Sequence, residues 1–176
     1  IEPRKMLVYS EYTGNKKIPV PNKPGLCLAK YGDPGYGELV KRDKYSPKKR
    51  FCDELVGKSA KVLRPLVNEK EIKYITCVPS LRSDIVLDFS NRLAESLGLT
   101  FVELLKKSNT RQQKEMQNSS YQCGNAMHSF SLLDGVEVPD KVLLVDDVVD
   151  SRWTLTACGY YLSQGGCGEI YPFALA

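Results

Sequence analysis

The stretch Val142-Leu143-Leu144-Val145-Asp146-Asp147-Val148-Val149-Asp150-Ser151-Arg152-Trp153-Thr154 decides how the rest of the chain is read. Four uninterrupted aliphatic residues predict a strand buried on both faces, as in a parallel sheet. The strand delivers two adjacent acids, Asp146 and Asp147, to its carboxyl end. A short loop follows, with hydroxyls at Ser151 and Thr154, and then a helix predicted over residues 153–162. A helix N-terminus offers unpaired N–H groups and the positive end of the helix dipole, which favour phosphate. Neighbouring carboxylates accept hydrogen bonds from a sugar diol or hold a hydrated magnesium ion, here Asp146 and Asp147. Together these features describe a sugar-phosphate site.

Outward from this stretch, strands and helices alternate. Strands are predicted at residues 72–78, 101–105, 129–133, 141–145 and 169–175. Ser46-Pro47 is a candidate helix start, followed by Phe51, Leu55, Val56, Ala60, Leu63 and Leu66 at helical spacing. A further helix is capped by Ser83 and stopped by Gly98. Repeated strand–helix–strand order implies a mainly parallel sheet of about five strands with helices on both faces. Residues 106–125 are polar and read as a mobile loop, or a loop with a short helix. Residues 1–46 hold five of the ten prolines and read as an irregular or β-rich extension, with short strands at 6–9 and 26–29. The domain proper is expected over residues 47–176.

Composition narrows the function classes. The 176 residues are 42% hydrophobic and 26% charged, as in a soluble globular domain. A net charge of +4 permits a phosphate ligand or nucleic acid without demanding either. No apolar run is long enough for a membrane span, so no membrane partner is expected. Six cysteines lack CxxC spacing and only His128 is available beside them, so they read as free thiols in a reducing cytosol rather than as a zinc site. The chain does not begin with Met and is expected to be a piece of something longer.

At the decisive stretch the sequence resembles the type I phosphoribosyltransferases. These carry an apolar strand, two acids, two apolar residues, then Asp/Thr-Thr/Ser-Gly-x-Thr, and Asp146, Asp147, Asp150, Ser151 and Thr154 match position by position. The resemblance implies a phosphoribosyltransferase-like fold in which Asp146 and Asp147 face the ribose hydroxyls and residues 150–154 wrap the 5-phosphate. It also implies a role at the reaction centre for Asp150. The family's glycine is Arg152 here. Arginine supplies a guanidinium to the phosphate or obstructs its cradle. By the same resemblance Ser80 and Arg82, in Val78-Pro79-Ser80-Leu81-Arg82-Ser83, take the place of the diphosphate loop. Residues 106–113 take that of the catalytic loop, whose continuation looks like the ComF-type competence proteins.

A resemblance to the C-terminal domain of certain bacterial RecQ-family ATP-dependent DNA helicases covers nearly the whole chain. It rests on Asp150-Ser151-Arg152-Trp153-Thr154-Leu155-Thr156, on Lys30-Tyr31-Gly32-Asp33-Pro34-Gly35-Tyr36-Gly37, on Cys77-Val78-Pro79-Ser80-Leu81 and on Pro172-Phe173-Ala174-Leu175-Ala176. It implies a cytoplasmic helicase appendage in DNA repair and recombination, meeting DNA through its parent. The sequence contains no GxxxxGK[ST] loop of a motor.

Three functions stay open at this point. One is an accessory domain that binds a phosphorylated sugar or nucleotide and tunes or docks the helicase. Another is an active transferase using phosphoribosyl pyrophosphate, with Arg82, Lys106 or Lys107 stabilising the departing diphosphate. The third is a DNA or protein docking module with a vestigial site. Lys41-Arg42-Asp43-Lys44 and Lys48-Lys49-Arg50 read as solvated faces, with DNA phosphates as the alternative. Tyr31, Tyr36 and Tyr45 lie near them in sequence. Trp153 reads as a packing residue and His128 as structural.

Overall fold

A computed structural model describes residues 1–8, 17–108 and 119–176. The elements run β1 (Leu26–Cys27), α1 (Tyr36–Lys44), α2 (Asp53–Lys70), β2 (Tyr74–Cys77), α3 (Ile85–Leu97), β3 (Thr100–Phe101), β4 (Leu105–Lys107), α4 (Ser119–Ser129), β5 (Phe130–Leu132), β6 (Lys141–Asp146), α5 (Trp153–Gln164) and β7 (Glu169–Ala174). Five strands form one sheet in the order β1-β7-β6-β2-β3, and every pair in it is parallel. β4 and β5 make a separate antiparallel pair. This mainly parallel sheet agrees with the phosphoribosyltransferase-like α/β fold expected from the sequence.

β6 lies at the centre, and its alternating side chains serve two cores. Leu143 and Val145 face one way, toward α1, α2 and α3, with Ile75, Tyr171 and Phe173. There Phe51 meets Phe89 edge to face, 5.8 Å between ring centroids. Val142 and Leu144 face the other way, toward α4, α5 and the β4–β5 pair, with Ile170. Helices therefore cover both faces. Parallel pairing brings the carboxyl ends of β2 and β6 to one edge, where ligands of such sheets sit.

Several local expectations are corrected. The helix expected from Ser46-Pro47 begins at Asp53, after Cys52. Ser46 and Pro47 lie instead in a turn, where the Asp43 carbonyl accepts the Ser46 N–H at 3.1 Å. α2 also continues past Pro65, which is exposed there and costs only one helical bond. The glycine-rich run before residue 37 is not wholly irregular: it leads into α1, whose Gly37 lies against the Lys30 carbonyl too closely for any side chain. The strand expected at 101–105 is two strands, β3 and β4, in different sheets. Of the strand expected at 6–9, Met6 makes a single antiparallel bridge to Lys17, and Tyr9 lies outside the described residues. Much of the polar segment at 106–125 also lies outside them, and its C-terminal part is α4. Among the described residues no helix is long and apolar enough to cross a membrane.

β1 completes the sheet edge because Gly25 lets it approach β7. A Cβ at Gly25 would run into the Pro172 backbone. Gly25→Ala should therefore push β1 away from β7 and cost about 1–3 kcal/mol, as overpacking does. Urea unfolding measures it, and an unchanged midpoint would show that the edge yields freely.

All six cysteines are free; Cys77, Cys123, Cys158 and Cys167 are buried. Burial pushes the Cys77 thiol up to about 12, which keeps it protonated and inert. Among the described residues no group of three potential ligands is placed to hold a metal.

Candidate sugar-phosphate site

A cleft of about 570 Å³ opens at the carboxyl ends of β2 and β6. It brings together Ser80 and Arg82 after β2, Asp146 and Asp147 at the end of β6, and Thr154 in the first turn of α5. Five of the residues singled out in the sequence thus share one cavity. An adjoining depression of about 240 Å³ is lined by Ser151, Thr154 and Lys107, with Gln122 and Asn125 of α4. Lys107 and Thr154 border both. Asp150 is exposed and lines neither of these two cavities, nor does Arg152.

The two acids are held differently. Asp146 is only 8% exposed and accepts the Asp147 N–H at 2.8 Å. Burial first, and then the charge of Asp147, push its carboxyl up to about 7, against the pull of that N–H, Lys44 and Lys107. Asp147 reaches further out. One oxygen accepts the Val148 N–H at 2.7 Å and the other pairs with Lys44 at 2.9 Å. The loop beyond is pinned by Ala176, whose N–H donates to the Asp147 carbonyl and whose carbonyl accepts the Val149 N–H.

The Asp150–Thr154 turn has its own fixings. Arg152 sits at φ 68°, the left-handed region that favours glycine, so an arginine occupies a backbone conformation better suited to glycine. The Arg152 guanidinium donates to the Glu2 carbonyl at 3.1 Å. Arg4 donates twice to the Ser151 carbonyl, at 3.0 and 2.7 Å, and lies 3.9 Å above the Trp153 ring. The N-terminal segment thus braces the turn from outside. The N–H groups of the first turn of α5 lack intrahelical acceptors by helix geometry and are the natural phosphate donors.

Lys44, Tyr45 and Lys49 also line the cleft, and sequence reasoning placed them elsewhere. Their basic runs were visible, but as solvated or DNA-facing stretches. The missing signal is the buried carboxylate of Asp43, which accepts the Cys52 N–H at 2.8 Å and pairs with Arg42. Burial pushes its pKa up, but these partners outweigh it and hold the group ionised below the usual range. Asp43 thereby fixes the turn after α1, in which Lys44 pairs with Asp147 and Lys49 lines the same cleft. Arg50 instead reaches Asp53 and Asp88. Lys106 pairs with Asp134 at 2.7 Å, which leaves Lys107 as the cleft-lining member of the two. The His128 ring bonds the Gly124 carbonyl of its own helix.

No family model matches the chain. Over 83 residues it is 29% identical to the competence protein ComFC of Streptococcus pneumoniae, a match covering 47% of this chain. The matched stretch spans 37% of that relative's length. Among solved structures, the chain superposes on the allosteric regulatory enzyme of purine biosynthesis with a TM-score of 0.44 and 20% identity, over 68% of this chain and 24% of that one. With a purine phosphoribosyltransferase from Pyrococcus horikoshii the TM-score is 0.48 at 19% identity, over 71% and 75% of the two chains. With a hypoxanthine-guanine phosphoribosyltransferase from Bacillus anthracis it is 0.44 at 16% identity, over 70% and 66%.

Proposed function

We propose that this domain binds a phosphorylated ribose or nucleotide and serves as a cytoplasmic accessory domain of a RecQ-type DNA helicase. The observation that carries the ligand reading is the single cleft joining Ser80, Arg82, Asp146, Asp147 and Thr154 to three lysines. In this reading the 5-phosphate rests on the N-terminus of α5, with the Ser151 and Thr154 hydroxyls and Lys107 around it. Asp146 and Asp147 accept the ribose hydroxyls. Arg82, Lys44 and Lys49 meet further negative charge. Arg152 shapes the turn, through its left-handed backbone, and ties it to Glu2. Asp150 is exposed outside both cavities, so the contacts of this turn fall to Ser151 and Thr154.

Magnesium fits this donor set. The ion keeps most of its waters and takes one or two carboxylates together with ligand phosphates. Asp146 and Asp147 supply those carboxylates, and a cation beside them would offset the burial and the charge of Asp147 that raise Asp146. When bound, the ion would neutralise phosphate charge.

Calorimetry with ribose 5-phosphate and phosphoribosyl pyrophosphate, in magnesium, tests the ligand reading. Micromolar to millimolar binding is expected, weakened roughly tenfold or more in Asp147→Asn by loss of one charge-assisted contact. Absence of binding by both compounds defeats it. Support for the helicase assignment is the run of motif matches between Lys30 and Ala176. Its test is whether such a ligand changes DNA unwinding by the full-length parent.

A further inference from the structure

We infer that a second, smaller cavity behind the Ser80–Ser83 loop takes a small organic cation, an ammonium or guanidinium on a short apolar stem. This site is separate from the sugar-phosphate cleft and does not depend on what that cleft binds.

The cavity, about 180 Å³, lies between the end of β2, the start of α3 and the segment joining β3 to β4. It exists because β3 is short. Phe101, the last residue of β3, pairs with Ile75, while β2 runs on through Thr76 and Cys77. The Val102 N–H donates to the Ile75 carbonyl at 2.9 Å, and the chain then leaves for β4, in the other sheet. Backbone groups of alternate strand residues point to opposite sides. The Cys77 N–H and carbonyl therefore point to the side that β3 has left, and no strand meets them there. The Val78 N–H points the other way and donates to the Val145 carbonyl at 2.8 Å.

Thr76 makes the same gap polar from a side chain. It is 1% exposed and lines the cavity, and its hydroxyl has no hydrogen-bond partner among the described residues. A buried hydroxyl left unpaired is unfavourable, and a polar occupant relieves it. The volume is many times the roughly 10–15 Å³ that admits one water, so a whole small molecule is accommodated.

Charge selects the occupant. Glu103 and Asp84 line the cavity, both are exposed, and neither is ion-paired among the described residues. No lysine or arginine lines it, in contrast to the large cleft beside it. Asp84 precedes α3 and offsets the positive end of that helix, so the two acids set the local field. Carboxylates with neighbouring hydroxyls, here Ser80 and Ser83, accept the several N–H bonds of an ammonium or guanidinium. Val86, Leu87 and Leu104 form apolar walls, which suit a carbon stem and not a hydrated metal ion.

NMR titration of the whole chain compares n-butylammonium, agmatine, 1-butanol and butyrate. Both cations should bind in the millimolar range or tighter, and butanol and butyrate roughly tenfold more weakly. Glu103→Gln should weaken both cations roughly fivefold or more while leaving ribose 5-phosphate within about twofold. Thr76→Val should also weaken them without lowering Tm, because valine fills the same space without an unpaired hydroxyl. Binding of 1-butanol as tight as that of n-butylammonium overturns the inference. Cation binding left intact by either substitution, or no cation binding at all, overturns it as well. Loss of ribose 5-phosphate binding alone would count against the cleft and not against this cavity. Nα-acetylarginine methylamide then separates the two sources of such a cation, and both of its results support the site. Its displacing agmatine assigns the cavity to a protein side chain, and its failure to do so assigns it to a free amine.

Discussion

Asp146→Asn is expected to stabilise the fold at pH 8 while weakening the site. The Asp146 carboxyl is buried at the end of β6, and burial together with the charge of Asp147 raises it from 3.8 to about 7. In the unfolded chain it titrates near the ordinary value. Between about pH 4 and pH 7 the folded protein therefore holds a proton that the unfolded chain has released. Stability is greatest below that window, falls as pH rises through it, and levels off above about 7. A gap of about three units corresponds to an upper bound of about 4 kcal/mol at pH 8. Asparagine keeps an oxygen for the Asp147 N–H and removes the buried charge. The variant should gain several degrees in Tm at pH 8, at roughly 2–4 °C per kcal/mol, and the gain should vanish toward pH 4. Thermal unfolding across pH measures this; a difference that does not vary with pH would remove the explanation. A ligand that donates hydroxyls, or brings a cation, favours the ionised carboxylate. Binding at pH 6–7 should accordingly release a proton, visible as a dependence of binding heat on buffer ionisation.

The same residues show what could be read from the chain alone. Val142–Val145 reads as a buried strand, because four aliphatics in a row suit a strand covered on both faces, as in a parallel sheet. Its acids and the helix start at Trp153 then fell at the ligand edge of the sheet. Gly98 ended its helix as expected, in the left-handed conformation. Local pattern reading failed where long-range contacts decide. Ser46-Pro47 has good capping chemistry, yet Asp43 captures the Cys52 N–H and delays the helix to Asp53. α1 was hidden because its start lies among glycines and prolines, and it is held by Val40, buried in the core it shares with α2. Lys44, Tyr45 and Lys49 carry no local mark of a cleft. They become part of it only when the turn after α1 closes over residues 146 and 147. The braces on the Asp150–Thr154 turn were equally invisible, since Arg4 and Ser151 lie 147 positions apart.

Those braces make Trp153→Ala the substitution with the largest expected cost. Trp153 is 2% exposed and among the largest fully buried side chains, packed with Leu7, Ile18, Leu104 and Met127 in the second core. Its truncation should cost about 3–5 kcal/mol. That is roughly 10 °C in Tm, measurable by thermal or urea unfolding. The ring also joins two parts of the structure: it opens α5 beside the Asp150–Thr154 turn, and the Arg4 guanidinium rests on its face. Arg4→Ala removes only the guanidinium contact and its two bonds to the Ser151 carbonyl, and should cost less, about 1–3 kcal/mol. Trp153→Phe separates volume from polarity. The indole N–H is buried without a partner among the described residues, so phenylalanine keeps most of the packing and discards an unpaired donor. It should lose far less stability than alanine. Equal losses for alanine and phenylalanine would mean that the full bicyclic indole is needed to fill the site, and that the smaller ring restores none of the packing. If ribose 5-phosphate binding falls in Arg4→Ala while Tm barely moves, the N-terminal segment sets the shape of the Asp150–Thr154 turn and not merely its stability.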